Sequence, residues 1–470
     1  MKAVLLFLGL ITVLCGCSLY KPEFFREQPA HFPSRYSLYS EKTDYAGQWW
    51  QEFNSAELNQ LMDLALEDNF SIREAWGRLT QAHYAAVKAG ADLYPEINAS
   101  AQGAYLEQKL KDMGQRGRDE WSLGIIAGYE VDLWGRVRAE KKTKAVLSQA
   151  SEEDLKSAML SVTGQIGENW IILISNKRQQ ELFNKQLDLQ KRLLQVIIQR
   201  FPLAKSTALD IYQQQQVIER IEEVLIPVQS RQKLSKRQLA LLAGRASLKN
   251  QLKGENVFPE IGAIPAIGLP ADLIAQRPDI RAAGLRLKSA EWEIAAARAD
   301  RLPALRLTAA YNSSTEDINS LFDNWLLNLA ANLTGPVLDG GRRKAEVERT
   351  KALADERIAA YGKTVFTAIK EVEDALTEED QYTRTLQSVR KQLNLSQQTV
   401  REARRRYLNG STDFINVLRE ELNLIQLEQD IILNEEKMII ARIRLHKALG
   451  GSWMTQQVSD GIECRISNKE

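Results

Sequence analysis

The chain is written twice, and each copy breaks a long helix with two short strands before the helix resumes. In the first copy a helical stretch stops at Tyr94-Pro95, two alternating segments follow, and helix restarts after Trp134-Gly135-Arg136. The same events recur at Leu302-Pro303 and Gly340-Gly341-Arg342. Other markers keep a spacing of about 206 to 208 residues. Asn69-Phe70-Ser71-Ile72-Arg73 answers Arg277-Pro278-Asp279-Ile280-Arg281, Arg200-Phe201 answers Arg406-Tyr407, and Ala243-Gly244 answers Leu449-Gly450. A duplicated unit with only four strands in all reads as one portion of a larger assembly.

Length alone, at 470 residues, would suit two or three domains, whereas the duplication favours one pseudo-symmetric unit. The formal net charge is +1 with 26% charged residues, so no long-range field recruits nucleic acid. Lys2, an apolar run from Ala3 to Leu14 and small residues after it read as an export signal. The run is short for a bilayer span, although a short transmembrane anchor is the competing reading. Leu14-Cys15-Gly16-Cys17 resembles a bacterial lipoprotein box, which makes 1–17 a signal ending at lipidated Cys17. Only Cys464 then remains, so the mature chain has no internal disulfide.

The expected organisation is an extended tail over 18–55, repeat one over 56–253, an equatorial link over 254–270, repeat two over 271–451 and a tail over 452–470. Leu58, Leu61, Leu64 and Ala65 carry helical spacing in a helix expected from Ala56 to Ala91, which Pro95 ends. Strands are expected at about 96–107, 121–133, 304–315 and 325–337, where odd positions are mostly apolar and even ones mostly polar. Ile97, Ala99 and Ala101 alternate with Asn98, Ser100 and Gln102; Leu327, Leu329 and Leu333 alternate with Asn328 and Asn332. Each segment is about 10 residues, the length a tilted strand needs to cross a bilayer. Trp121, Trp134 and Trp325 sit at segment ends, as membrane-interface aromatics would. Half-buried strands of a soluble sheet share this period, and alternation alone leaves both readings open.

Helix is expected again over about 137–200 and 343–406, each a rod of roughly 100 Å at 1.5 Å per residue. Phe201-Pro202 and Asn409-Gly410 end these rods in tight turns, and a second long helix returns from each. A membrane-crossing sheet must close, because an open edge leaves backbone groups unpaired in hydrocarbon. Four strands are too few, since small barrels use about eight. The expected fold class is therefore an α+β membrane protein: a trimeric twelve-stranded β-barrel, four strands per chain, continued by a periplasmic α-helical coiled-coil barrel.

The chain resembles the TolC-like outer-membrane efflux proteins, in their lipoprotein branch. The likeness runs from Trp49-Trp50-Gln51-Glu52-Phe53 to Ala448-Leu449-Gly450-Gly451-Ser452-Trp453. It includes Glu130-Val131-Asp132-Leu133-Trp134-Gly135-Arg136, Arg277-Pro278-Asp279-Ile280-Arg281-Ala282-Ala283 and Glu371-Val372-Glu373-Asp374-Ala375-Leu376. The resemblance implies a homotrimeric exit duct in the outer membrane with no catalysis and no cofactor. Its partners would be outer-membrane lipid, a periplasmic adaptor and an inner-membrane pump, proton-driven in the branch this chain resembles. Two other functions stay open: the exit duct of a type I protein secretion system, and a non-conducting structural coiled-coil envelope lipoprotein.

The resemblance also implies a gate at the periplasmic tip. Phe201, Pro202 and Gly410 mark the two turns; Phe201, Asp210, Tyr407 and Gly410 match the family, whereas Asn416 and Arg419 stand where relatives carry aspartates. Three Asp210 carboxylates near a threefold axis would repel one another and select cations. Arg419 would pair with a neighbouring carboxylate, and Asp413 lies in the same turn. Against this, Thr207-Ala208-Leu209-Asp210 has capping-box spacing and Asp413 has the place of a helix cap. Gly135-Arg136 and Gly341-Arg342 read either as arginines facing anionic headgroups or as glycine turns with solvated arginines. His31, His83 and His446 lack ligand spacing and no nucleophile motif occurs, so no enzyme chemistry is expected.

Overall fold

The computed structural model describes residues 47–110, 114–248, 252, 254–264, 276–451, 453–454 and 457–459. The signal, Cys17 and Cys464 lie outside the described residues. In chain order the elements are α1 Ala56–Asp68, α2 Phe70–Ala91, β1 Glu96–Leu110, β2 Gly114–Val131, α3 Arg136–Arg200, α4 Ala208–Leu242, α5 Pro278–Ala299, β3 Ala304–Thr315, β4 Leu326–Thr334, α6 Arg342–Leu408 and α7 Phe414–Leu449. Short 3-10 turns occupy Trp49–Phe53, Phe201–Leu203 and Ile318–Ser320.

Contacts divide the chain into two compact units. One gathers Arg78–Glu152 and Arg281–Lys363, and holds the sheet with the helix ends that flank it. Its strands run in the order β1-β2-β3-β4, all antiparallel. The other gathers Glu153–Ile280, Thr364–Glu470 and the described part of Phe32–Gly77, and holds both helical hairpins.

The hairpin unit is cored by aromatic and aliphatic side chains. Trp49 and Trp50 are buried and meet edge to face at 5.8 Å; Trp50 meets Trp453 in the same way at 4.9 Å. Glu57, also buried, is satisfied by the indole N–H of Trp170 at 3.1 Å and the backbone N–H of Gly254 at 2.9 Å. That second bond ties the link region to α1. Arg442 anchors the link as well: it donates to the Gly262 and Ala263 carbonyls while its fork holds Glu379 at 3.0 and 2.5 Å.

Four expectations need correction. The helix expected over 56–91 is two helices, because Asn69 leaves the helical region at ψ 130 and its carboxamide oxygen accepts the N–H groups of Ser71 and Ile72. The 18–55 tail ends in a 3-10 turn at Trp49–Phe53, held by the burial of its three aromatics. β2 begins at Gly114 rather than near 121, because its backbone ladder with β1 continues to Leu110 opposite Gly114 after the alternation has ended. β4 spans only Leu326–Thr334: Pro336 has no N–H to give a ladder, and Gly335 packs so close to Pro303 that a Cβ would lie 2.8 Å from its ring.

Candidate channel wall and gate

Side chains of an antiparallel sheet alternate between faces, so residues paired directly across strands share one. Leu123 pairs with Ser313, Ile125 with Tyr311, Ala127 with Ala309 and Val131 with Leu305. Continuing outward, Ile97 pairs with Ala127, Leu305 with Leu333 and Tyr311 with Leu327. Odd-numbered residues therefore make one continuous face across all four strands; it is apolar over the stretch nearest the helices and turns polar toward the outer end of the first hairpin, at Glu107 and Asp119. The even face is mainly polar: it carries Asn98, Ser100, Gln102, Ser122, Gly124, Thr308, Asn312, Asn328 and Asn332, together with the aliphatic residues Leu106, Ile126 and Leu326 and several alanines. Leucines 329 and 333 of the apolar face are 72% and 67% exposed, the reverse of a folded core. Among the described residues no helix is long and apolar enough to cross a membrane.

Aromatics brace this wall. The Trp121 ring covers Gly103, where a Cβ would come within 2.7 Å, and the Tyr105 ring covers Gly117 in the same manner. Trp325 precedes β4 and stacks on Tyr311 at 5.9 Å. Trp134 lies at the opposite end, half-buried, with its indole N–H donating to the Pro303 carbonyl at 2.7 Å.

Where β2 passes into α3, Gly135 takes φ 81, and Gly341 takes φ 86 before α6, backbone that side-chain-bearing residues avoid. Arg136 is not turned to an anion from outside. It donates to Glu130 at 2.7 Å and Glu140 at 2.8 Å; burial opposes its charge, but these carboxylates outweigh that and raise its pKa. Glu130 also receives Arg306 at 3.4 Å, and Asp132 caps α3 through the N–H groups of Val137 and Arg138. Arg342, by contrast, is exposed.

At the far end of the hairpins the two turns close alike. Lys205 N–H bonds the Arg200 carbonyl at 3.1 Å and Ser411 N–H bonds the Arg406 carbonyl at 2.9 Å, with Ala204 and Gly410 both left-handed. Their aromatics differ. Phe201 and Pro202 are exposed, whereas Tyr407 is buried against Phe414 in a cluster with Ile197, Val217 and Val417. The Arg200 guanidinium lies 5.2 Å above the Tyr407 ring. Burial, then the Asp210 carboxylate, pushes the phenol pKa up against the opposing Arg200 charge; the hydroxyl lies near both side chains but makes no hydrogen bond of good geometry with either.

Asp210 forms a complete capping box: its carboxylate accepts the Thr207 N–H at 2.9 Å and the Thr207 hydroxyl accepts the Asp210 N–H at 3.2 Å. Asp413 takes the N-cap position of α7, yet its side chain makes no cap bond. Asn416 donates to the Thr412 hydroxyl at 2.9 Å. Arg419 is exposed and, among the described residues, bonds no carboxylate; Glu421 is taken by Arg404 at 2.7 Å. Asp210, Tyr407, Gly410 and Asp413 do meet, around a groove of about 710 Å³ that Arg200, Lys205 and Thr207 also line. Phe201, Asn416 and Arg419 are not part of its lining. Sequence reasoning missed Arg200, whose partner ring lies 207 residues away. Among the described residues no group of His, Cys, Asp or Glu is arranged to hold a metal ion.

A four-stranded wall with one mainly oily and one mainly polar face in one unit, and two long helical hairpins in the other, define the class as a TolC-like channel protein. The outer membrane efflux protein family model matches residues 61–245 and again 269–451, and the chain belongs to that family. It is thus a transport protein of the outer membrane. Curated relatives include the pyoverdine export outer membrane protein OpmQ of Pseudomonas aeruginosa, 30% identical over 87% of this chain and 88% of that one. The outer membrane protein OprJ of the same organism is 30% identical over 86% of each chain. Among solved structures, that of CusC superposes with a TM-score of 0.85 at 23% identity, covering 93% of this chain and all of the other.

Proposed function

We propose that this protein is the passive exit duct of a tripartite efflux pump, built from three copies whose sheets pool into one twelve-stranded barrel. The observation that carries this is the four-strand sheet whose odd face is mainly apolar, whose even face is mainly polar and whose outer edges pair with no other strand among the described residues. In a bilayer those edges must be satisfied by other chains. Internal duplication is supported by the family model matching two stretches and by the same hairpin repeating after each helix.

The cargo follows from the wall and the relatives together. Between the charged ends of the strands the even face offers amides and hydroxyls but no fixed charge, which suits solutes of varied chemistry. OpmQ is named for pyoverdine export and another relative, TtgI of Pseudomonas putida, for toluene efflux, which favours small molecules over secreted proteins. A periplasmic adaptor and an inner-membrane pump would deliver them, and lipid on Cys17 would anchor the amino terminus. Closure at the tip would rest on Arg200, Asp210, Tyr407 and Asp413 from three copies meeting near one axis.

Planar-bilayer recording tests this. The wild-type trimer should conduct weakly, and Arg200→Ala with Asp210→Ala should raise the open fraction several-fold. A trimer that stays silent in both forms would refute the duct.

A further inference from the structure

We propose that Glu96 and Arg306 form a charge-balanced ring on the even face at the helix end of the sheet, and that this balance lets solutes of either sign pass. The ring rests on the duct reading, in which the even face lines water, and it names the residues that set the charge preference of the wall.

Between Gln102 and the helices, the charged residues of the even face are Glu96, Glu130 and Arg306. Arg118 and Glu120 lie further out along the first hairpin. Glu130 is not a free anion. It is half-buried, stands directly opposite Arg306 in the ladder, and receives Arg136 at 2.7 Å and Arg306 at 3.4 Å. Arg136 in turn donates to Glu140 at 2.8 Å. The four groups make a chain of alternating sign, and what it presents on the even face is the Arg306 guanidinium, 71% exposed against 18% for Glu130. Close by, Asp132 is taken by Arg138 and Asp300 by Arg343, each at 2.9 Å.

Glu96 supplies the opposite charge. It opens β1, is exposed, and makes no ion pair among the described residues. In the ladder Glu96 meets Gly128, and Gly128 meets Thr308, two residues along β3 from Arg306. Glu96 and Arg306 therefore stand two strands and one row apart, roughly 12 Å between Cα atoms. Gly128 puts no side chain between them, and a Cβ added there would meet nothing within 4 Å. Their separation is close to the Debye length of about 10 Å at 0.1 M salt, so an ion passing that stretch of wall feels both. Three pooled copies would alternate Glu96 and Arg306 around the duct. Alternating signs leave little net field along the axis, whereas removing either one leaves three like charges facing the same water.

Reversal potentials of the purified full-length trimer in planar bilayers, across a tenfold KCl gradient centred near 0.1 M, test the ring. Arg306→Gln should raise the permeability of K+ over Cl− about two-fold or more, and Glu96→Gln should lower it by a similar factor. The double variant should return to the wild-type ratio, and Arg306→Lys should keep it, because each preserves the balance of charge. Near 1 M salt, where the Debye length is about 3 Å, the shifts should shrink. A conducting trimer whose ratio ignores both single changes overturns the ring. So do shifts in one common direction, or shifts that persist undiminished at high salt. A trimer silent in every form overturns the duct instead.

Discussion

Asn69 and Arg277 stand at equivalent helix starts, and each donates a side-chain hydrogen bond to the last turn of a returning helix. Asn69 reaches the Leu242 carbonyl at 2.7 Å and Arg277 the Ala448 carbonyl at 3.0 Å. The two solutions differ in chemistry. Asn69 caps α2 with its carboxamide oxygen while its NH2 group ties the end of α4. Arg277 uses its planar fork, holding Asp279 at 3.0 and 2.6 Å and Glu371 at 2.7 Å. Burial opposes the Arg277 charge, but Asp279 and then Glu371 overcome it and raise the pKa. Asn69→Ala should cost about 1–2 kcal/mol through the lost cap and orphaned carbonyl. Arg277→Ala should cost about 2–4 kcal/mol, since two carboxylates and a carbonyl lose one partner. Arg277→Lys should recover less than half, because an ammonium cannot hold the fork. Thermal unfolding followed by circular dichroism checks all three.

The Arg442–Glu379 pair should act as a clamp on the link. Both side chains are buried, and Arg442 alone reaches the carbonyls of Gly262 and Ala263. Arg442→Ala should cost about 3–5 kcal/mol by stranding a buried carboxylate. Limited proteolysis should then cut within residues 254–264 markedly faster than in the wild type. Glu379→Ala combined with Arg442→Ala should cost less than the two single changes added together, as coupled residues do. Additive costs would mean that the pair does not act as a unit.

What was legible in the sequence is what local chemistry writes locally. Pro95 and Pro303 stop helices, and alternating residues such as Ile97 to Gln102 mark strands, because backbone and side-chain period decide both. The outer half of the first hairpin was hidden, since Gly114 to Glu120 carries charges and two glycines, while its ladder comes from the opposite strand. The break at Asn69 was hidden because Leu58, Leu61 and Ala65 keep helical spacing up to it. At the tip, the Thr207 to Asp210 spacing was readable, and its capping box is formed. The Arg200 stacking on Tyr407 was not, because nothing near either residue names the other.

The Tyr407 hydroxyl is buried without a hydrogen bond, while its ring packs on Phe414 and beneath Arg200. Tyr407→Phe should therefore leave stability unchanged or raise it slightly, since a buried polar group without a partner is removed. Tyr407→Ala should cost about 3–5 kcal/mol through the cavity it opens. If Tyr407→Phe were as damaging as Tyr407→Ala in thermal unfolding, the hydroxyl would have to be bonded in the assembled protein.

His446 should make the protein sensitive to mild acid. Its ring is buried, stacks on Trp49 at 5.8 Å and lies 3.6 Å from the Glu52 carboxylate. Burial, then the nearby charge of Arg442, lowers its pKa from 6.5 to about 3. The unfolded chain takes a proton where the folded one refuses it, so stability rises with pH across that interval. The contribution is complete above about pH 6.5 and is lost progressively as pH falls toward about 3. The slope should be about half of 1.4 kcal/mol per pH unit near pH 6.5 and approach about 1.4 in the middle of that interval. His446→Gln should flatten it while lowering stability at neutral pH by disturbing the stack. Melting temperatures recorded from pH 8 to pH 5 would separate the two proteins, and parallel curves would show that the buried ring does not control this response.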